Sequence, residues 1–503
     1  MKTDDTKGPK KMDNFEKGNI ESIYFMGIAG TGMAAVAGLT QEAGYKVLGS
    51  DNNVYPPMST MLEELNIDVL TPYREENLRE SNPDLVIVAN CLSRGNKEIE
   101  ALIDSNIPFT SFPKLLGDFF LKERHSIVVT GTHGKTTTSS LIAHMLDDLG
   151  ENPGYIVGGI PKNFQRSFRL GTGKCFVTEG DEYDTAFFDK ASKFLHYQPK
   201  TLLFNNLEFD HADIFDSLQD IEKMFKQVIS LVTNKGNIIC NWDDQNVRKV
   251  IEDLGIQEKV TKVSCFGMSK NTDLEIRGIE VKQVSNGLIV WTVNYNSKWW
   301  GEFKIETPLS GRHNVANISQ MLATIGSLAE NQIIKNTTID DIKNSLKKFK
   351  SVKRRLEYIG SVGNKDVYED FAHHPTAVKM IIDNFKTTFP NRRLVAAFEP
   401  KNATSRRNTF EAAYIDVLSG ADVVLMGACP EDNRIPKEQQ MNTERICSKI
   451  GGNAHAFKKN DEILDWLKIN SLEKDIIVFM SSGSFSGVQH KIIETLKSSK
   501  SEH

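Results

Sequence analysis

The chain of 503 residues, with 39% hydrophobic and 25% charged residues, is too long for one hydrophobic core and predicts about three domains of an ordinary soluble protein. A net charge of −5 argues against a general nucleic-acid or membrane-surface binder, and no apolar run approaches the ~20 residues of a membrane span. Residues 1–18 lack the apolar segment of a signal peptide and the six cysteines show no paired spacing, so we expect a cytoplasmic protein with a disordered N-terminal tail.

The first block, predicted as residues 19–122, begins with a short apolar strand at Ile23–Met26. This strand runs into the glycine-rich turn Gly27–Gly32, and a helix over Met33–Ala43 follows. A second strand ends at Asp51, which completes a βαβ unit in which glycines let the backbone approach a nucleotide and the acid can bind a ribose hydroxyl. The glycines follow G-x-x-G-x-G rather than G-x-G-x-x-G, so a plain tight turn is the alternative.

The second block, predicted as residues 123–347, opens with a β-branched strand at Ile127–Thr130, then a glycine-rich turn and a helix. The turn Gly131–Thr136 has the arrangement that binds a phosphate chain, because its backbone N–H groups and the helix N-terminus face the anion. Lys135 can neutralise the phosphates, and the Thr136 hydroxyl can bind Mg²⁺. The two glycines are closer together than in the usual P-loop, but the flanking strand and helix favour a phosphate site over a chance triplet.

Acidic residues follow later strands of the same block. Four acids lie between Glu179 and Asp184, directly after a predicted strand, and His211 follows another strand. Since open α/β sheets bind ligands at the carboxyl ends of their strands, Glu179 and His211 could both reach a metal held by Thr136. One imidazole is unusual for Mg²⁺, and a solvated acidic turn is the alternative interpretation of the acids.

The remaining pattern completes the predicted architecture. Alternation of polar and apolar residues over Leu274–Pro308, around the turn Ser285–Gly287, predicts an antiparallel hairpin inside the central block. The third block, predicted as residues 348–503, again alternates buried strands with helical segments. All three blocks are therefore predicted to be α/β units with mainly parallel sheets.

Six segments in order, GTHGKTTT, TEGDEYD, NNLEFDHADIF, GRHNVAN, VKRRLE and EDFAHHPTA, resemble the Mur ligase family. These are ATP-dependent enzymes that build the peptide of bacterial cell-wall precursors, and the resemblance covers nearly everything from residue 22 onward. It implies a Rossmann-like N-terminal domain for a UDP-sugar, a central P-loop ATPase-type domain and a Rossmann-like C-terminal domain for the incoming amine.

The resemblance also assigns roles to individual residues. It implies that Lys135, Glu179, His211 and Arg355 are catalytic, with a first Mg²⁺ ligated by Thr136 and Glu179 and a second Mg²⁺ ligated by His211 near the acyl phosphate. Lys226 is expected to be a surface lysine rather than a carbamylated metal ligand. ATP would be bound by Gly131, Thr132, His133, Gly134, Lys135, Thr136, Thr137, His313, Asn314, Asn317, Arg355 and Asp370. Among these, His313, Asn314 and Asn317 would surround the adenine, and Asp370 would bind the ribose. The UDP-sugar would be bound by Gly27, Gly30, Thr31, Gly32, Asp51, Ser93 and Asn163.

Two branches of the family are similar to this sequence. One adds L-alanine to UDP-N-acetylmuramate, and the other attaches the murein tripeptide L-alanyl-γ-D-glutamyl-meso-diaminopimelate to the same sugar in cell-wall recycling. The segments Gly158–Phe164 and Phe398–Thr404, with NNLEFDHADIF, resemble the second branch. Lys401, Arg406 and Arg407 follow a third-domain strand and could clamp the tripeptide carboxylates, although a solvated basic turn is an even alternative for the two arginines.

The implied reaction passes through an acyl phosphate, with closure of the third domain assembling the site. Two other classes explain less of the chain. A nicotinamide-dependent dehydrogenase would explain the turn after Met26 but leaves the phosphate loop and the Glu179/His211 pair without a role. A nucleotide-binding regulator would keep the phosphate loop but has no need of Arg355 and Asp370 from a separate domain. The sequence does not indicate an oligomeric state or a general base.

Overall fold

The computed structural model describes residues 19–210, 214–215, 217–256, 262–283, 289–429 and 435–498. His211, the turn Ser285–Gly287 and the predicted tail at 1–18 lie outside the described residues. Within the described ranges, three α/β domains follow one another along the chain, each with its own main sheet. No helix in these ranges is both long and apolar enough to span a bilayer. The predicted α/β fold with mainly parallel sheets is confirmed.

The first domain is a five-stranded parallel sheet in the order β3-β2-β1-β4-β5. Strands β1 and β4 are almost wholly buried because helices cover both faces, which is why both are short apolar runs in the sequence. The strand order reverses between them, so the loops after these two strands open the crevice where such sheets bind ligands. The elements are β1 (Ser22–Met26), α1 (Thr31–Glu42), β2 (Lys46–Ser50), α2 (Met58–Glu64), β3 (Asp68–Leu70), α3 (Glu75–Ser81), β4 (Leu85–Val88), α4 (Lys97–Asp104), β5 (Phe109–Ser111) and α5 (Phe112–Leu116).

Helix α1 begins at Thr31, two residues before the predicted start at Met33. Thr31 and Gly32 are therefore the first helical residues rather than part of the turn, and Gly30 is the extended N-cap. Glycine and threonine are weak helix formers, so the sequence pattern predicts the start of this helix two residues too late. Gly32 nevertheless lies in the first turn of the helix, where it packs beside the Phe112 ring.

The central domain carries a ten-stranded sheet in the order β17-β16-β15-β14-β13-β12-β6-β9-β7-β8. Strand β6 lies between β12 and β9, all three parallel, so the loops that follow these strands meet at one edge. The strands are β6 (His125–Thr130), β7 (Gly154–Ile156), β8 (Phe168–Arg169), β9 (Cys175–Glu179), β10 (Asp184–Ala186), β11 (Asp189–Ser192), β12 (Thr201–Phe204), β13 (Asn237–Asn241), β14 (Lys262–Gly267), β15 (Leu274–Gln283), β16 (Ile289–Ser297) and β17 (Gly301–Thr307). The helices are α6 (Lys135–Asp148), α7 (Leu218–Ser230), α8 (Gln245–Asp253), α9 (Arg312–Glu330) and α10 (Ile339–Lys348).

The antiparallel strands predicted inside this domain are present as β15, β16 and β17. They do not form a separate layer, because β15 pairs in parallel with the end of β14 and extends the main sheet. Helix α9 covers the sheet next to them and is buried along most of its length. This long buried helix follows β17 in the chain, and its first turns lie beside the phosphate loop.

The third domain has a six-stranded sheet in the order β18-β19-β23-β20-β21-β22. Every described pair in it is parallel except β18 with β19. Two hydrophobic clusters lie on opposite faces of this sheet, beneath the helices. The elements are β18 (Glu357–Val362), β19 (Lys365–Asp370), α11 (Pro375–Thr388), β20 (Leu394–Phe398), α12 (Glu411–Leu418), β21 (Val423–Met426), α13 (Thr443–Ile450), β22 (Ala454–Ala456), α14 (Asp461–Asn470), β23 (Ile476–Met480) and α15 (Val488–Ser498).

The connection between the central and third domains is bound along its length to the loop after β7. Pro161 forms an isolated antiparallel bridge with Val352, and the Lys162 amide donates to the Ser351 carbonyl at 2.9 Å. Lys353 N–H donates to the carbonyl of the residue before Pro161 at 3.1 Å. We call residues 158–163 together with 348–353 the interdomain clasp. It holds the start of the third domain beside the phosphate loop.

Candidate active site

The phosphate loop joins β6 to α6 and depends on its two glycines. Gly131 has φ +126° and Gly134, the N-cap of α6, has φ +84°, both in the region that disfavours other residues. A Cβ at Gly134 would lie 2.5 Å from the Asn317 side-chain oxygen, and one at Gly131 would lie 3.0 Å from the Asn206 carbonyl. Only glycine lets the loop fit against these neighbours. The first N–H groups of α6 consequently face the space in front of the loop.

Lys135 is held in the loop by a buried acid. Its ammonium donates to the Gly131 carbonyl at 2.8 Å and to both oxygens of Glu182, at 3.1 and 3.2 Å. The Glu182 side chain is only 3% exposed. Burial alone would lower the pKa of Lys135, but the negative charges of Glu182 and Asp181 raise it above its usual value. The loop therefore carries a permanent cation where a phosphate chain would lie.

Thr136 and Glu179 come together as the sequence predicts, because β6 and β9 are adjacent. The Thr136 hydroxyl donates to Glu179 Oε2 at 3.1 Å, and the Gly158 amide donates to Oε1 at 2.5 Å. Burial raises the pKa of Glu179, although the bond from Gly158 and the charge of Lys135 act against it. A hydroxyl and a carboxylate are hard oxygen donors of the kind that Mg²⁺ prefers, so these residues fit that ion.

Arg355 brings a cation from the third domain to the same loop. Its Nη2 donates to the Thr136 hydroxyl at 3.3 Å, and its guanidinium lies 5.0 Å from the centre of the Phe371 ring. The preceding Arg354 points away and binds Glu369 at 2.7 Å and the Ser481 carbonyl at 2.8 Å. The two adjacent arginines thus differ in task, one anchoring the chain within the third domain and the other facing the phosphate loop.

Asp370 fixes the turn that carries Arg355. One carboxylate oxygen accepts the Leu356 amide and the other accepts the Ala372 amide, both at 2.7 Å. Burial raises the pKa of this carboxyl, and the nearby Arg355 charge counteracts the shift. The side chain predicted to bind the ATP ribose is therefore also a positioning group for Arg355.

The start of α9 packs on the phosphate loop through its asparagines. The Asn317 side-chain oxygen accepts the Thr138 hydroxyl at 3.1 Å, and its amide donates to Asn314 Oδ1 at 3.2 Å. Burial, followed by the charge of Arg355, lowers the pKa of His313 to about 4, so this imidazole is neutral near pH 7. All three residues predicted to surround adenine therefore lie beside the loop.

His133 and Thr132, in the middle of the loop, are fixed by the loop after β12. The His133 amide donates to Asn206 Oδ1 at 2.7 Å, and its ring nitrogen Nε2 lies 3.4 Å from Glu208. The Thr132 hydroxyl accepts the Glu208 amide at 2.9 Å. Asn206 and Glu208 lie in the segment NNLEFDHADIF, but the sequence alone assigns them no role. Their partners lie more than 70 positions away in the sequence, so only the strand order brings them together.

The glycine-rich turn of the first domain lies at the predicted crevice. A Cβ at Gly27 would lie 2.7 Å from Ala89 Cβ, so glycine is needed for the close approach of the loops after β1 and β4. The Asp51 carboxylate accepts the Ala29 amide at 3.0 Å, and Ser93 is exposed in the turn after β4. Gly30, Thr31 and Gly32 continue this edge into α1.

Asn163 is not brought to that crevice. Its amide donates to the Lys348 carbonyl at 2.8 Å, and its side-chain oxygen accepts the Lys350 amide at 2.6 Å. It therefore belongs to the interdomain clasp, where both polar atoms are used. Lys226 lies on α7, where it pairs with Asp253 at 2.8 Å, in keeping with a surface lysine.

The three cations proposed for the peptide follow β20. Lys401 is exposed, while Arg406 Nε donates to the Lys401 carbonyl at 2.8 Å. Arg407 donates to the Gln439 side chain at 3.2 Å. A buried acid missed in the sequence, Glu399, accepts the Ser481 hydroxyl at 2.6 Å and orders the turn in front of them. The cations share one edge of the third-domain sheet, with Arg407 partly engaged within the domain.

Comparison with known proteins finds a family model for each of three successive parts of the chain. Family models match in the same order: "Mur ligase family, catalytic domain" over residues 22–124, "Mur ligase middle domain" over 129–325 and "Mur ligase, glutamate ligase domain" over 354–483. The UDP-N-acetylmuramate--L-alanyl-gamma-D-glutamyl-meso-2,6-diaminoheptandioate ligase of Escherichia coli (strain K12) is 35% identical over 94% of this chain and 98% of its own. The chain belongs to the Mur ligase family.

Other Mur ligases place the chain within that family. A crystal structure of a murein peptide ligase from Psychrobacter arcticus 273-4 has a TM-score of 0.68 and 31% identity, covering 95% of this chain and 98% of its own. The UDP-N-acetylmuramate--L-alanine ligase of Aquifex aeolicus (strain VF5) is 28% identical over 93% of this chain and 96% of its own. The expected three-domain Mur ligase fold is thus confirmed, and the dehydrogenase alternative is excluded.

Proposed function

We propose that this protein is an ATP- and Mg²⁺-dependent ligase that joins L-alanyl-γ-D-glutamyl-meso-diaminopimelate to UDP-N-acetylmuramate in cell-wall recycling. The observation that carries the proposal is the convergence of Lys135, the Thr136–Glu179 pair and Arg355 on one glycine-rich loop. These groups come from two domains, so a phosphate-transfer site would be complete only when the domains are together. Since both UDP-N-acetylmuramate and ATP are nucleotides of the cell interior, we place the reaction in the cytoplasm.

The first step of the proposed reaction is phosphoryl transfer. The lactyl carboxylate of the sugar attacks the γ-phosphate, and its bond to phosphorus forms as the bond to ADP breaks. Lys135 and Arg355 neutralise the charge on the transferring group, which is the main task of protein groups in this chemistry. Thr136 and Glu179 would hold one Mg²⁺ and His211 a second, and these ions would supply further charge neutralisation.

The second step forms the amide bond. The free amine of the tripeptide alanine attacks the acyl phosphate carbonyl, and inorganic phosphate leaves. We assign the sugar nucleotide to the crevice at Gly27–Gly32, Asp51 and Ser93, and the remote carboxylates of the tripeptide to Lys401, Arg406 and Arg407. Binding energy from that remote end can be used to order the amine for attack. The greater identity to the tripeptide ligase of Escherichia coli than to the L-alanine ligase supports this choice of substrate.

The test is a competition between L-alanine and the tripeptide, with ATP and UDP-N-acetylmuramate present and the products separated by mass spectrometry. We expect the tripeptide product to dominate and phosphate to appear only with both acceptor and sugar nucleotide. The double variant Arg406→Ala, Arg407→Ala should raise the KM for the tripeptide and spare that for ATP. A matched control is Arg277→Ala, since this arginine lies on the surface of the central-domain hairpin. Preferential consumption of L-alanine would refute the tripeptide assignment and leave the ligase assignment intact.

A further inference from the structure

A group of three potential metal ligands lies on the third-domain side of the phosphate loop. It consists of His133 in that loop, Glu208 in the loop after β12 and His374, the N-cap of α11. One ligand atom from each lies within 4.8 Å of the other two. His133 Nε2 is 3.4 Å and His374 Nδ1 is 3.8 Å from Glu208 Oε2, and the two rings are 5.2 Å apart. The group therefore converges on one small volume, although its members come from three separate segments.

These separations suit a small tetrahedral ion. Zinc bonds of about 2.0–2.2 Å to imidazole and carboxylate place neighbouring ligand atoms roughly 3.3–3.6 Å apart. The 3.4 Å separation of His133 and Glu208 already falls in that range. The 3.8 Å separation of Glu208 and His374 needs only a few tenths of an ångström of closure. The His133 and His374 ligand atoms lie within 4.8 Å of each other, so these side chains close on the ion as it binds.

The existing hydrogen bonds leave His374 poorly satisfied. Its side chain is 6% exposed, its Nε2 has no hydrogen-bond partner, and its Nδ1 accepts only a long 3.4 Å bond from the Thr376 amide. Buried polar atoms of native proteins are normally well paired, and the hydrogen bonding of this ring is weak. An ion bonded at Nδ1, the nitrogen that faces Glu208, would replace only the long bond from Thr376 and so costs little in existing bonds.

The charges of His374 and Glu208 are those that a metal site requires. Burial lowers the pKa of His374, which keeps the imidazole neutral and its lone pair free. Burial alone would raise the pKa of Glu208, but His133 and a hydrogen bond from Thr376 lower it below the usual value. Glu208 is 30% exposed, so an ion has a path of entry from solvent.

We propose that His133, Glu208 and His374 form a site for a divalent transition ion of the Zn²⁺ type, separate from the Mg²⁺ site at Thr136 and Glu179. Two imidazoles in one ligand set favour Zn²⁺, Co²⁺ or Ni²⁺, whereas Mg²⁺ prefers oxygen ligands. Two of the ligands belong to the central domain and one to the third domain. The bound ion ties α11 to the phosphate loop and holds the two domains together.

Zn²⁺ binding to the metal-free full-length protein tests the site, measured by calorimetry with millimolar Mg²⁺ present to occupy the oxygen-ligand site. We expect one Zn²⁺ per chain in the wild type, with affinity at least roughly tenfold weaker in Glu208→Gln and in His374→Ala. His490→Ala is the matched control, since this side chain is 67% exposed at the surface. Glu179→Gln distinguishes the two sites, because it removes the Mg²⁺ ligand and should leave Zn²⁺ affinity unchanged.

A spectroscopic measurement keeps the test independent of folding defects. Co²⁺ in place of Zn²⁺ should give the strong visible absorption of a four-coordinate ion, and His374→Ala should lose it while retaining the wild-type circular dichroism spectrum. Zn²⁺ should also raise the Tm of the wild type but not that of His374→Ala. The proposal is overturned if no Zn²⁺ binds, if both ligand variants bind it as tightly as the wild type, or if Glu179→Gln abolishes binding.

Discussion

Replacing Lys135 with alanine removes a phosphate-binding cation and also removes the lysine that pairs with the buried Glu182. If this lysine faced solvent, its removal would leave the protein as stable as the wild type. The structure pairs it with Glu182, and the two side chains are only 15% and 3% exposed. Removing one partner of such a pair weakens the compensation of the other buried charge, which costs up to about 3–5 kcal/mol. We expect Lys135→Ala to lose about 3 kcal/mol of the free energy of unfolding, since the pair is close to fully buried.

The loss of activity has a different origin and can be separated from the loss of stability. Removing one charge-assisted contact to the transferring phosphate should cost on the order of a hundredfold or more in rate, about 2.7 kcal/mol. In the double variant Lys135→Ala, Glu182→Gln the buried acid is neutral, so stability should return to within about 1 kcal/mol of the wild type. Ligation should remain as slow as in the single variant.

Two measurements decide this prediction. Urea unfolding of the wild type, both single variants and the double variant gives the coupling free energy of the pair, which we expect to exceed roughly 2 kcal/mol. Single-turnover phosphate release at saturating UDP-N-acetylmuramate and tripeptide gives the rate. A Lys135→Ala protein as stable as the wild type would show that the pairing with Glu182 contributes nothing. Recovery of ligation in the double variant would refute the role of Lys135 at the phosphates.

Four further predictions concern residues beside the phosphate loop and one residue of the proposed peptide site. Glu179→Gln should raise the Mg²⁺ concentration needed for half-maximal activity by roughly tenfold or more, because a charged oxygen ligand is lost, and titration of activity with Mg²⁺ tests this. Asp370→Asn should lower kcat with little change in the KM for UDP-N-acetylmuramate, because it loosens the turn that carries Arg355; an equal change in both constants would contradict it. Folded His313, with its pKa of about 4, stays neutral while the unfolded chain takes up a proton below pH ~6.5, so its contribution to stability is full above that pH and is lost as the pH falls towards 4. Replacing it with asparagine should flatten the fall in unfolding free energy between about pH 7 and 5 by up to about 1.4 kcal/mol per pH unit, measured with urea. Lys401→Ala should raise the KM for the tripeptide severalfold and leave the KM for ATP unchanged, and an unchanged tripeptide KM would remove this residue from the peptide site.

Local patterns predicted the strands and the phosphate loop well. Short β-branched runs such as Ile127–Thr130 are buried strands because helices cover both faces of the sheets. The meeting of Thr136 with Glu179 could also be predicted, since both follow strands of one parallel sheet. Chemistry at the carboxyl ends of strands is therefore the part of the site that sequence reasoning can reach.

Contacts that depend on strand order or domain packing could not be predicted in the same way. Glu182 lies 47 positions from Lys135, and nothing in the acidic turn distinguishes it from the less buried acids beside it. His374 meets Glu208 only because the third domain packs over the loop after β12. Asn163 was grouped with the sugar-binding residues because its segment resembles the family, whereas its side chain is bonded to the linker backbone.

The interdomain clasp also indicates where a chimaera between two Mur ligases should be joined. The last backbone bond to the central domain is made by Lys353, whereas the next residue, Arg354, is already bonded to Glu369 and Ser481 of the third domain. The boundary between the central and third domains is thus the peptide bond between Lys353 and Arg354. The ion pair of Lys162 with Glu357 joins the two domains close to this bond. A third domain exchanged at this bond would bring its own arginine turn and leave the clasp native. A junction a few residues earlier would lie within the clasp, so that the two segments that bond to each other there would come from different parents.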